Sequence, residues 1–153
     1  AGDQGKADEV PTPRHPGQPD DACPICGKLM VATTGELPVV VSGEQVLVAG
    51  VEHLRCASCG EVTLRYESAR ALQEHGVEVY RQRHDLLTAE EIRALRQQLG
   101  LTQAQLAALL QLGLNTVSRW ESGRNVQSGA LDILLKLLRD VPGTLDYLQK
   151  RAA

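Results

Sequence analysis

Two hydrophobic periodicities divide this chain. Between residues 23 and 64 the apolar positions come in short, β-branched runs at 29–33, 39–41, 46–51 and 62–64, and Gly35, Pro38, Gly43, Gly50 and Gly60 punctuate them. That pattern predicts a small unit of short strands. From residue 88 onward the apolar spacing becomes three and four. Thr88 with Glu91 and Thr102 with Gln105 have the form of capping boxes, each opening a helix. Ile92, Leu95 and Leu99 follow the first box, and Gly100 closes that helix. Leu106, Ala107, Leu109 and Leu110 follow the second. A short third helix is expected over about residues 115–121, stopped by Gly123. Ile133, Leu134, Leu137 and Leu138 mark a fourth. Pro142 suits the first turn of a fifth, with Leu145 and Leu148 facing inward.

Between these regions, residues 65–87 carry a helical stretch over about 66–75, then Gly76 and a polar connection through Arg83 and Asp85. This segment is expected as a linker containing a helix. Residues 1–22 are rich in Pro, Gly and Asp and nearly lack large apolar side chains, so they are expected as a disordered tail. The fold class is therefore α+β: a β-rich domain over 23–64 joined to an all-α five-helix domain over 88–153. No apolar run is long enough to cross a bilayer, and no apolar signal segment argues for export, so a cytoplasmic, membrane-free protein is expected.

Composition alters the picture in two places. Aromatic residues make up only 3% of the chain and Phe is absent, so any core is aliphatic. The net charge of −3 at first argues against a nucleic-acid partner, but it is unevenly spread. Residues 1–87 hold eight Lys/Arg against thirteen Asp/Glu, and residues 88–153 hold eight against six, giving −5 and +2. A DNA reader needs a local basic surface rather than a basic chain, although +2 is a weak field.

The chemistry begins with the cysteines. Cys23, Cys26, Cys56 and Cys59 form two Cys-x-x-Cys pairs, each followed by glycine, at Gly27 and Gly60. Two intervening residues let one tight turn present both sulfurs to one ion, and four thiolates complete the tetrahedron of Zn²⁺. With no place left for water, one structural zinc ion is expected, stapling a unit too small to hold by burial alone. A redox dithiol would use one reactive pair beside a βαβ pattern, which is absent. His53 is expected on the surface or beside the metal rather than bound to it. His15, His75 and His84 have no partner pattern.

The second constellation is TQAQLAALLQLGLNTVSRWESG, residues 102–123. Gln103 and Ala107 lie four apart, and Ala107 is small where two helices must cross. A turn falls around residues 111–113. Val117 and Trp120 share a core-facing side of the next helix, while Asn115 and Arg119 share another. Asn pairs with adenine and Arg with guanine in the major groove. The expected DNA contacts are Gln103, Asn115, Thr116, Ser118, Arg119 and, toward phosphate, Arg124.

These residues resemble the lambda-repressor-like (Cro, XRE) DNA-binding family, which implies about five helices with the third in the major groove. That family often places Gly where this chain has Gln111, with Gly113 two residues later, so the turn is expected to follow a somewhat different path. The CPICG and CASCG pairs joined to GLNTVSRWESG make the chain from 23 to about 150 similar to the MqsA (YgiT-type zinc finger) antitoxin family. The resemblance implies a zinc domain that binds a toxin, and a C-terminal domain that dimerises on a palindromic operator of double-stranded DNA and represses the operon encoding both proteins. The leucines at 134, 137, 138, 145 and 148 exceed the obvious need of one small core, and residues 128–150 are expected to supply most of the dimer interface. A stand-alone regulator without a toxin, a protein-binding zinc adaptor and a thiol oxidoreductase are the competing readings. No nucleophile–base pair or acid pair at meaningful spacing supports the enzyme.

Overall fold

The computed structural model describes residues 21–152. The expected disorder of residues 1–22 lies outside that range except at Asp21 and Ala22, and Ala22 is already bridged to Leu29. The fold is α+β. Strands β1 (Met30–Val41), β2 (Glu44–Cys56) and β3 (Val62–Thr63) precede helices α1 (Tyr66–Arg83), α2 (Ala89–Gln98), α3 (Gln103–Leu109), α4 (Thr116–Glu121), α5 (Gly129–Asp140) and α6 (Thr144–Ala152).

The sheet is antiparallel in the order β1-β2-β3. The punctuated runs of the sequence merge into two long strands closed by a tight turn at Ser42 and Gly43, both with positive φ. Pro38 does not break β1 because β1 is an edge strand, where a missing N–H leaves no ladder partner wanting. Gly35 is absorbed at an irregularity, where the register shifts between Gly35↔Val51 and Leu37↔Val48.

Residues 65–87 differ most from the sequence expectation. Helix α1 runs through Gly76 to Arg83 and packs on β1 and β2. A Cβ at residue 76 would clash with Val39 Cγ1, so this glycine lets helix and sheet approach closely instead of ending the helix. Leu72 and Val77 of α1 join Leu37, Val41, Val46, Val48 and Val51 of the strands in one core.

The helical half has its own core, formed by Leu87, Ile92, Leu95, Leu106, Ala107, Val117, Trp120, Leu135 and Leu138. Both capping boxes form reciprocally, Thr88 with Glu91 and Thr102 with Gln105. Pro142 sits in the turn before α6 instead of in its first turn. Leu145 and Leu148 pack partly buried against the core, as their spacing implied.

The two halves interlock. Val126, in the connection after α4, is buried in the sheet core. Arg81 of α1 is 2% exposed. Its guanidinium donates to Trp120 O at 2.9 Å, Asn125 O at 3.3 Å and Gln127 Oε1 at 3.1 Å. Gln127 Nε2 donates onward to Leu87 O and to Asp132 Oδ1, which also accepts from the Leu87 amide. Burial pushes the Arg81 guanidinium down to about 10.

Candidate metal centre and nucleic-acid interface

The four cysteine sulfurs lie within 4.8 Å of one another, at the end of the sheet where Met30 pairs with Cys56. Each pair sits on a knuckle of the same design. Gly27 N donates to Cys23 O and Gly60 N to Cys56 O, at 2.8 and 2.9 Å. Cys23 N donates to Lys28 O and Cys56 N to Glu61 O, closing each loop. Gly27 and Gly60 both have left-handed φ, +74° and +78°, the conformation a side chain would strain. Cys23 Sγ is 3.5 Å from Cys59 Sγ, and Cys26 Sγ is 3.5 Å from Cys56 Sγ. A Zn–S length of about 2.3 Å gives a tetrahedron with edges of about 3.8 Å, so the cluster is close to that size. Cys23 and Cys56 are buried, while Cys26 and Cys59 are exposed.

The electrostatics fit a cation. Amides of Cys59 and Ser58 outweigh burial at Cys56 and hold its thiol down to about 6. At Cys59 the Glu61 backbone pulls downward, but the Cys23 thiol, burial and the Cys56 thiol push it up to about 12. Four ionised sulfurs at this spacing repel one another unless a positive charge sits among them. The cluster can therefore hold a metal ion.

His53 is not one of this group. It is buried in β2, 5% exposed, with Nδ1 against Val51 O at 2.9 Å and Nε2 without a protein partner. It is thus buried in the sheet, which overturns the surface placement, one of the two expected for it. β2 alternates buried and exposed side chains, and His53 shares the buried phase with Val51.

In the helical half, α3 packs against α4, and Ala107 of α3 is 1% exposed. The turn between them is made by Gln111 itself, at φ +57°, so the residue in the family's glycine position adopts the left-handed conformation. Gly113 is not among the residues with positive φ. A short turn follows, with Thr116 N donating to Gly113 O. Asn115 then stands as the N-cap of α4 at φ −96°, ψ 3°, and its side chain makes no capping bond.

Val117 and Trp120 are buried at 0% and 1%. Asn115, Ser118, Arg119 and Arg124 are exposed, and Thr116 is half-buried beside Gly113. Gln103 is half-buried, and its side chain is one of the lesser influences that hold the Glu121 carboxyl down. Of the six expected contacts, α4 and its ends therefore bring five together, and Gln103 begins α3 next to them.

Sequence reasoning missed Glu121 as a buried anchor. Arg96 holds it with two bonds of 2.9 Å, Nε to Oε2 and Nη2 to Oε1. Arg93 adds bonds from Nε to Oε1 and from Nη2 to the Glu121 carbonyl. Burial alone would raise the Glu121 carboxyl, but Arg96 outweighs it and the net direction is down. Only a carboxylate directly after the buried Trp120 hinted at this clamp. Its consequence is a scarcity of unengaged charge. Arg93, Arg96, Lys136, Arg139 and Lys150 are all ion-paired. Among the described residues of this half, that leaves Arg119, Arg124 and Arg151 outside any ion pair.

Against known proteins, residues 21–149 match the family described as the antitoxin component of a bacterial toxin-antitoxin system, MqsA. Over 62 residues the chain is also 34% identical to antitoxin HigA-2 of Vibrio cholerae serotype O1, a stretch that is 40% of this chain and spans 60% of that protein. No helix of the described residues is long and apolar enough to cross a membrane. A family match over most of the chain, carrying both the cysteine cluster and the α3–α4 pair, identifies the sequence as a member of the MqsA antitoxin family.

Proposed function

We propose that this antitoxin is a sequence-specific repressor of its own operon, with one structural Zn²⁺ on Cys23, Cys26, Cys56 and Cys59. Asn115 and Arg119 read base edges in the major groove. Thr116, Ser118 and Gln103 support them, and Arg124 contacts phosphate. The observation that carries the reading is the division of α4: Val117 and Trp120 are buried, while Asn115, Ser118 and Arg119 beside them stand in solvent. A dimer on a palindromic operator doubles a short set of contacts. Ile133, Leu137 and Val141, spaced by four along α5 and its C-cap, are 61%, 42% and 47% exposed and favour that pairing. Leu138 is 5% exposed in the protomer core and is withdrawn from the interface expected of it. The zinc-bearing sheet is the side offered to a toxin, a partner implied by the family's description as an antitoxin component.

The test is an operator library bound by the full-length protein and by Arg119→Ala. The variant should lose about 1–3 kcal/mol and relax its preference at one base pair per half-site. If Arg119→Ala folds and ranks every duplex as the wild type does, the reading face is wrongly assigned. Co-expression with the protein encoded beside it tests the toxin. If that protein does not co-purify, the chain is a stand-alone regulator.

A further inference from the structure

We propose that Leu114 is a specificity residue that packs on the 5-methyl group of a thymine in each operator half-site. The inference rests on the DNA-reading role of α4 and extends it to a side chain with no hydrogen-bonding group. Leu114 is 72% exposed, more than any other large aliphatic side chain described in the helical half. Its neighbour Leu112 packs against the core, so the turn has an inward leucine and an outward one.

The turn geometry places the outward leucine. Thr116 N bonds Gly113 O, and Asn115 has the φ and ψ of the third position of a type I turn. That turn runs directly into α4, where Arg119 N bonds Asn115 O. The four-residue spacing of a helix sets Asn115 beside Arg119, and Leu114, in the turn just before α4, adds to an exposed patch at this end of the helix with them and Ser118. Leu114 is the single apolar member of that patch. It lies on a different element from the α5 stripe of Ile133 and Leu137. In the major groove the one apolar feature of a base edge is the thymine methyl. A leucine set among an asparagine, a serine and an arginine matches a base edge that mixes hydrogen-bonding groups with a methyl.

The experiment uses the full-length protein. Selection from a random duplex pool defines the operator. Each thymine is then replaced singly by deoxyuridine, which removes only the methyl group, and affinities are compared at fixed salt. For the wild type, one replacement per half-site should weaken binding about fourfold, the worth of one buried methylene-sized group. Leu114→Ala should bind the thymine operator more weakly by at least as much and be indifferent to that same replacement. A wild type that tolerates every deoxyuridine equally overturns the proposal, as does a Leu114→Ala protein that keeps the full methyl preference. Selection of a clear operator with either result removes Leu114 alone. Enrichment of no sequence removes the DNA-reading role itself. The deoxyuridine scan of the wild type needs no variant, so a scan without a methyl preference overturns the proposal even where Leu114→Ala fails to fold, and Leu114→Asn, similar in size, then serves as the variant that should lose the preference.

Discussion

Replacing Arg81 with Met asks whether the guanidinium joins the two halves energetically as well as geometrically. Met keeps the aliphatic bulk and removes three donors. Hydrogen bonds from a charged group contribute about 1.5–3 kcal/mol each, so the bonds to Trp120 O, Asn125 O and Gln127 Oε1 are together worth about 6 kcal/mol. Against them stands burial, which pulls the group from the ordinary guanidinium value down to about 10. At 1.36 kcal/mol per pH unit, that displacement costs about 3 kcal/mol. Arg81→Met should therefore lose about 3 kcal/mol. For a chain of this size the melting temperature should fall by about 6–12 °C. Trp120 is the sole tryptophan, and its backbone carbonyl accepts one of the bonds, so its fluorescence follows the helical half. Amide-exchange protection at Val46 and Val48 follows the sheet. The two signals should coincide in the wild type and separate in Arg81→Met. Arg81→Lys should recover no more than about one of the three bonds, because an ammonium lacks the planar fork. An Arg81→Met protein that melts at the wild-type temperature in one transition would refute the coupling.

Three further changes test other features. Gly76→Ala should destabilise the protein by about 1–3 kcal/mol through overpacking against Val39, despite alanine's helix preference; a gain in thermal stability would refute the close approach. Gln111→Gly should stabilise it by about 0.5–1 kcal/mol in urea titration, by relieving the positive φ; a loss would mean that the Gln111 side chain contributes more than its backbone costs. Chelation, or Cys56→Ser, should remove amide-exchange protection at Gly27 and Gly60 but leave it at Val46 and Val48, which sit in a core of their own with Leu72 and Val126. Loss of protection throughout the sheet would show that the metal holds the whole unit.

What was legible in the sequence follows from how local each signal is. The capping boxes, the knuckle glycines and the burial of Val117 and Trp120 depend on residues within four of one another, and each appears where its spacing placed it. Gly76 was misread because a glycine inside a helical pattern signals an end, and only the sheet packed above it makes the missing Cβ a requirement. The strands were read short for the same reason: Pro38 is harmless on an edge, and being an edge is a property of the sheet. Arg81 with Gln127 and Arg96 with Glu121 bridge 46 and 25 residues, so no local pattern announces them. At the proposed recognition surface, polar residue types drew attention to Asn115 and Arg119, and the same preference passed over Leu114, whose exposure is set by the turn before α4 and not by its residue type.

The clamp on Glu121 also governs how the proposed repressor meets bulk DNA. Arg93 and Arg96 are both paired to one carboxylate, so few unpaired cations remain to displace counterions from the duplex. If Arg119 and Arg124 are the side chains that meet it, the logarithmic salt slope is at most about −2 per protomer, at about −0.9 for each phosphate neutralised. Rising ionic strength then weakens binding only gently. Random sequence competes poorly for the protein, and occupancy of the operator depends on the fit at a few base edges more than on the charge of the backbone.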